Sequence, residues 1–174
     1  MSVTINASTS SGLVMTSDLS GVLQFQQNGV ALPNGGVAPA FSAYANAGIS
    51  LSNVTWTKIP LQVKYFDTNS NFDNVTNYRF TPTVAGYYQI NGAVGNGAST
   101  NGIAAGAIYK NGSAIANSTI TNGGLGTVNT VSMVLYLNGS TDYVELYGYQ
   151  SSGGALSTTG NYATNFSGSL VRGA

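Results

Sequence analysis

Residues that break helices or form turns interrupt this chain every few positions, as in Gly92-Ala93-Val94-Gly95-Asn96-Gly97 and Thr121-Asn122-Gly123-Gly124-Leu125-Gly126. Gly costs a helix about 1 kcal/mol relative to Ala, and Asn, Ser and Thr offer the backbone competing hydrogen bonds. Strand signals recur instead. Tyr88, Ile90, Gly92 and Val94 share one face of an alternating segment, with Tyr87, Gln89, Asn91 and Ala93 on the other. Val131, Met133, Leu135 and Leu137 line one side of residues 130–137. In residues 143–149, Val144 and Leu146 oppose Tyr143, Glu145, Tyr147 and Tyr149, so the second face is aromatic instead of solvated. That pattern predicts a strand buried on both faces or lying in a subunit interface. Asn111-Gly112, following residues 103–110, is a type I′ hairpin signal, and Asn138-Gly139 ends the next long strand. Short strands at this spacing indicate an all-β sandwich or barrel.

Composition says what the surface is made of. Hydrophobic residues are 43% of the 174, ample for a core, but charged residues are only 6%, against about 25% in ordinary soluble proteins. The polar surface is therefore Ser, Thr, Asn, Gln and Gly. With few charges to screen or titrate, it tolerates wide changes of salt and pH, and zero net charge favours self-association. Lys58, Lys64, Arg79, Lys110 and Arg172 are scattered, whereas binding a phosphate backbone needs them clustered, so nucleic acid is not an expected partner. Cys is absent, which removes disulfides and thiolate zinc sites. No segment approaches the ~20 apolar residues of a membrane span, and residues 1–10 lack the basic and apolar regions of a secretory signal.

Catalysis is disfavoured by the same inventory. Neither His nor Cys is present, so the commonest bases and nucleophiles are missing. Paired-carboxylate chemistry needs two acids side by side, and Asp142 and Glu145, three apart on an expected strand, point to opposite faces. Asp18, Asp67 and Asp73 sit in loops rich in Asn, Ser and Thr. The Gly-rich stretches 95–106 and 121–126 lack the Gly-Lys of a phosphate-binding loop and read as loops at one end of the fold. The chain is expected not to be an enzyme and to need no cofactor.

One cluster has oxygen ligands at suggestive spacing: Asp67, Asn69, Asn71 and Asp73 alternate along a short loop, a donor set suited to Ca²⁺. Phe72 stands where an EF-hand turn wants Gly, and Tyr78 where it wants an acid. The alternative is a loop whose Asx turns cap its own backbone. Trp56 stands alone and is expected in the core.

Pro33-Asn34-Gly35-Gly36-Val37-Ala38-Pro39 reads as a linker. Before it, residues 3–6, 12–15 and 21–25 read as short strands, too few to bury a core alone. Residues 1–36 are expected to be an arm that docks on a partner through Val3, Ile5, Leu13, Val14, Val22, Leu23 and Phe25. A hairpin folded back on the main domain, residues 37–174, is the alternative.

From Phe41 onward the chain resembles the C1q-like domains, jelly rolls shared with the tumour-necrosis-factor superfamily. The resemblance rests on an ordered set of segments. They are Phe41-Ser42-Ala43-Tyr44, Tyr78-Arg79-Phe80-Thr81-Pro82 with Ala85-Gly86-Tyr87-Tyr88, and Tyr109-Lys110-Asn111-Gly112. Leu137-Asn138-Gly139 with Asp142-Tyr143-Val144-Glu145-Leu146, and the closing Phe166-Ser167-Gly168-Ser169-Leu170, complete it. It covers roughly residues 39–172. It implies an all-β C1q/TNF-like jelly-roll sandwich with a short N-terminal β arm, assembled as a homotrimer. The threefold interface of that family is aromatic, which implies Tyr87, Tyr143, Tyr147 and Tyr149 as interface residues, with sugar stacking or ordinary core as their other roles.

Phe66-Asp67-Thr68-Asn69-Ser70-Asn71-Phe72-Asp73 and Thr16-Ser17-Asp18-Leu19-Ser20-Gly21-Val22-Leu23 resemble segments of phage structural proteins that carry C1q-like modules. No collagen-like Gly-x-y stalk precedes the domain. These resemblances imply a phage structural protein on the virion surface: a trimeric decoration or cement protein docked on the major capsid or another virion protein. A fibre knob that binds a host receptor or glycan is the alternative.

Overall fold

The computed structural model describes residues 38–99, 101–121 and 126–174, together with three short strands at 15–17, 23–27 and 30–31. In chain order the strands are β1 (Met15–Ser17), β2 (Leu23–Gln27), β3 (Val30–Ala31), β4 (Ala40–Tyr44), β5 (Ser50–Leu51), β6 (Thr57–Lys58), β7 (Val63–Asp67) and β8 (Phe72–Asp73). There follow β9 (Arg79–Phe80), β10 (Gly86–Asn96), β11 (Ile103–Lys110), β12 (Ser113–Thr121), β13 (Thr127–Leu137), β14 (Val144–Gln150), β15 (Leu156–Thr159) and β16 (Asn165–Gly173). A single 3-10 turn at Asn161–Ala163 is the only helical element among the described residues.

The chain divides into two compact units, Met1–Ala38 with Gly173, and Pro39–Arg172 with Ala174. The first contains an antiparallel sheet β1-β2-β3, with Met15 opposite Phe25 and Gln27 opposite Val30. Of the arm candidates, Leu23 and Phe25 belong to β2; Val3, Ile5, Leu13, Val14 and Val22 lie outside the described residues.

The second unit is a sandwich of two antiparallel sheets. One runs β5-β15-β10-β16-β4-β7, with β13 paired along the whole of β10, and the other runs β12-β11-β14-β9-β8, with β6 also on β14. The expected alternation holds in the long strands. Tyr88, Ile90, Gly92 and Val94 of β10 and Val131, Leu135 and Leu137 of β13 are buried, and Tyr87, Asn91, Val134 and Tyr136 face outward. From the other sheet, Ile108, Val144 and Leu146 close the same core. One part of that core is aromatic: Phe41 stacks on Phe72 at 4.9 Å and on Phe80 at 4.4 Å, and meets Phe166 edge-on at 5.3 Å. Burying rings of this size stabilises the fold by on the order of 2 kcal/mol each.

Turn chemistry fixes the hairpin. Asn111 (φ 51°) and Gly112 (φ 79°) both occupy the left-handed region that a type I′ turn requires. Asn111 also ties the turn to the segment leading into β14, accepting from the Tyr143 amide at 2.9 Å and donating to Asp142 Oδ1 at 2.7 Å.

Two expectations need correction. Trp56 is not in the core; at 36% exposed it lies just ahead of β6 and packs on Tyr149 and Tyr109. Asp142 does not share a strand with Glu145, because β14 begins only at Val144 and Asp142 belongs to the turn before it. There its carboxylate accepts from the Asn111 side chain and the Asn138 amide.

Candidate functional site

The four tyrosines expected at an interface occupy the outer faces of two different sheets. Tyr87 lies on β10, directly opposite Tyr136 of β13, and the two rings meet edge to face at 5.6 Å. Both are exposed, as are Val128 and Val134 on the same face. No charged residue lies on β4, β10 or β13, and Arg172, exposed near the end of β16, is the one charged side chain of those four strands. Hydroxyls and amides fill the gaps: Gln89 donates to Ser132 at 2.7 Å, and Ser132 donates to Asn91 at 2.8 Å.

Tyr143, Tyr147 and Tyr149 flank and alternate along β14 and are brought together with residues that sequence periodicity did not single out. Tyr147 stacks on Tyr109 of β11 at 3.9 Å, and Trp56 lies 5.2 Å from Tyr149 and 6.2 Å from Tyr109. The Arg79 guanidinium sits 4.2 Å above the Tyr143 ring, a cation–π contact. Ala105 and Ala107, the register partners of Tyr149 and Tyr147, are small and fully buried. Glu145, between the tyrosines, is covered and pairs with Lys58 at 2.5 Å. Burial raises the phenol pKa of Tyr109 and of Tyr147, the latter also through the Glu145 charge. The signal for Trp56 and Tyr109 was their residue type alone; only the fold shows that they converge.

The D-x-N-x-N-x-D loop is organised around its own backbone. Asp67 accepts from the amides of Asn71 and Phe72, both at 3.0 Å, and pairs with Lys64 at 3.1 Å. Asp73 accepts from the amides of Val75, Thr76 and Asn77 and from the Asn77 side chain. The amides of Thr76 and Val75 contribute most to holding its carboxyl well below the usual range, against the opposing effect of burial. Asn71 Oδ1 accepts from Thr83 and Asn71 Nδ2 donates to the Asn69 carbonyl, while Asn69 Oδ1 accepts from Thr68. Each oxygen of the candidate Ca²⁺ set is thus engaged with a protein donor in an Asx-turn network. Among the described residues no three His, Cys, Asp or Glu side chains cluster. None of the described helices is long and apolar enough to cross a membrane. Asp142 is held by Lys110 at 2.8 Å, by Asn111 and by the Asn138 amide. The Lys110 hydrogen bond does most to lower its pKa.

Two antiparallel sheets with this strand order, a charge-poor surface and an aromatic core define a jelly roll of the C1q/TNF type. Solved structures with the same fold include three of different kinds. The globular domain of the zebrafish complement 1qA protein matches with TM-score 0.56 and 19% identity, over 78% of this chain and 99% of that one. The Eiger TNF from S. frugiperda matches with TM-score 0.61 and 7% identity, over 79% and 94%. The PRD1 vertex protein P5 matches with TM-score 0.59 and 18% identity, over 79% and 100%. No protein-family model matches the sequence, and no curated protein matches it.

Proposed function

We propose that this chain is a non-enzymatic structural protein of a phage virion, a homotrimeric decoration or cement protein that docks on the head through residues 1–36. The likeness to the PRD1 vertex protein P5, spanning all of that chain, carries the reading. Its support comes from surface chemistry. The outer face of β10 and β13 presents Tyr87, Val128, Val134 and Tyr136, and neither strand carries a charged side chain. Self-association of three copies would bury that apolar face. The arm, with β1, β2 and β3, would add to a sheet edge of a capsid protein.

A second reading, a spike or fibre knob that binds a host receptor or glycan, is favoured by the half-exposed rings of Trp56, Tyr109, Tyr147 and Tyr149 on the other sheet. Gold-tagged antibody raised against residues 41–174 separates the two on intact particles in the electron microscope. Gold over the whole head is the expected outcome. Gold confined to vertices, tail or fibre tips would select the second reading, and unlabelled particles would remove the virion assignment.

A further inference from the structure

At the end of the sandwich where β10 stops and β13 starts, five buried side-chain atoms have no protein partner: Asn96 Oδ1, both amide atoms of Asn129, Ser118 Oγ and Thr127 Oγ1. Asn96 and Asn129 are each 1% exposed. Strand registers bring the four residues to one place. Thr127 is the cross-strand partner of Asn96, and Asn129 is the partner of Val94, two positions along the same inward face. From the facing sheet, Gly106 approaches so closely that a Cβ there would lie 3.3 Å from Val94 Cγ2 and 3.5 Å from Asn129 Cβ. Ser118 is the register partner of Gly106 and shares its face.

Five unmet polar atoms in one spot would cost a large part of a domain's net stability. The rest of the fold does not tolerate such losses. Gln150, fully buried, donates to the carbonyls of Leu51 and Gly154 and accepts twice from Ser152. Buried Thr164 donates to the Thr159 carbonyl and accepts from the Gly95 amide. A guest must therefore meet the five atoms, and their hydrogen-bond sense selects it.

Asn96 Nδ2 donates to the Val94 carbonyl at 3.1 Å, which leaves its Oδ1 as an acceptor. Asn129 offers one donor group and one acceptor, and the two hydroxyls can serve as either. A cation would suit the oxygens but would leave the Asn129 NH₂ unmet, and no carboxylate is among the four residues to balance its charge. Water both donates and accepts. About two molecules, each making the usual three or so hydrogen bonds, would satisfy the whole set. We propose that Asn96, Ser118, Thr127 and Asn129 form a built internal hydration site that holds a long-lived water cluster between the sheets. One end of β10 is then wet, while at the other Tyr88 packs edge-on against Phe80.

Oxygen-17 relaxation dispersion of the solvent, measured on the full chain, tests this directly. Wild type should show a slowly exchanging water component, and Asn129→Leu should lower its amplitude by roughly two-fifths or more, since that residue supplies two of the five atoms. Thr127→Val, which keeps the side-chain shape, should lower it by a smaller amount and serves if the Leu variant does not fold. A wild-type chain with no slow component, or an amplitude unchanged in Thr127→Val, would overturn the proposal. So would a melting temperature raised by sodium, potassium or calcium chloride but not by choline chloride, which would identify a cation as the guest.

Discussion

The Asp73 carboxylate gathers three successive amides and the Asn77 side chain, closing the loop between β8 and β9. Asp73→Ala leaves those donors without their acceptor and is expected to destabilise the fold by about 1–2 kcal/mol, read from urea unfolding at pH 7. The same carboxylates set the acid limit. Asp73 and Asp142 both have lowered folded-state pKa values, so their contribution is complete above the ordinary value of about 3.9 and is lost as pH falls below it. At the alkaline end, burial pushes the Tyr88 phenol up to about 12 while its hydroxyl donates to the Val84 carbonyl at 2.7 Å. That contribution is complete below the ordinary value of about 10 and is lost as pH rises toward 12. With no His or Cys in the chain, the melting temperature should stay flat between about pH 5 and 9. A midpoint that shifts by several degrees inside that window would contradict the assignment. Some residue-scale features were not legible in the sequence. Asn96 sits at an inward position of β10 but has a polar side chain, so apolar alternation in the sequence stops at Val94. Trp56 has no periodic neighbours, and only the closure of β6 on β14 brings it to Tyr149.

Elements were the scale at which the sequence spoke most plainly. Inward and outward sets of β10, β13 and β14 follow from period-two alternation, and Asn111-Gly112 gave the β11–β12 turn, because only those residue types accept two successive positive φ angles cheaply. What alternation could not give was how closely the strands' inward faces approach. Gly168 of β16 has ordinary backbone angles, yet a Cβ there would lie 2.5 Å from Ile90 Cδ1, 2.9 Å from Phe41 Cε1 and 3.1 Å from the Gln89 carbonyl oxygen. Gly112 is the opposite case, with φ 79° and nothing nearer than the Tyr143 hydroxyl at 3.8 Å. Gly168→Ala must displace a packed ring and is expected to cost about 2–3 kcal/mol. Gly112→Ala pays only for its backbone angle, about 1 kcal/mol. Equilibrium urea unfolding of the two variants side by side decides the order; equal losses would mean that the β16 contact relaxes freely.

At the scale of the whole molecule, the distribution of charge and exposed apolar surface determines how copies can meet. Tyr87 is 47%, Val134 53% and Tyr136 42% exposed on the outer face of β10 and β13, two strands with no charged residue. The other sheet keeps its rings mutually packed beside the Lys58–Glu145 and Arg79–Tyr143 pairs. A homotrimer built on the first face should therefore be held by apolar burial and be insensitive to salt. Light scattering should give about 53 kDa, three chains of 17.8 kDa, at both 0.05 and 1 M NaCl. Tyr87→Glu with Val134→Glu would place two charges in that desolvated contact from each copy, and the mass should fall to that of one chain with the circular dichroism of a folded sheet retained. Tyr147→Glu, on the second sheet, should leave the trimer intact. If Tyr147→Glu dissociates the assembly and the double variant does not, the interface lies on the Tyr143, Tyr147 and Tyr149 face, and the exposed β10–β13 face is free to contact the capsid instead.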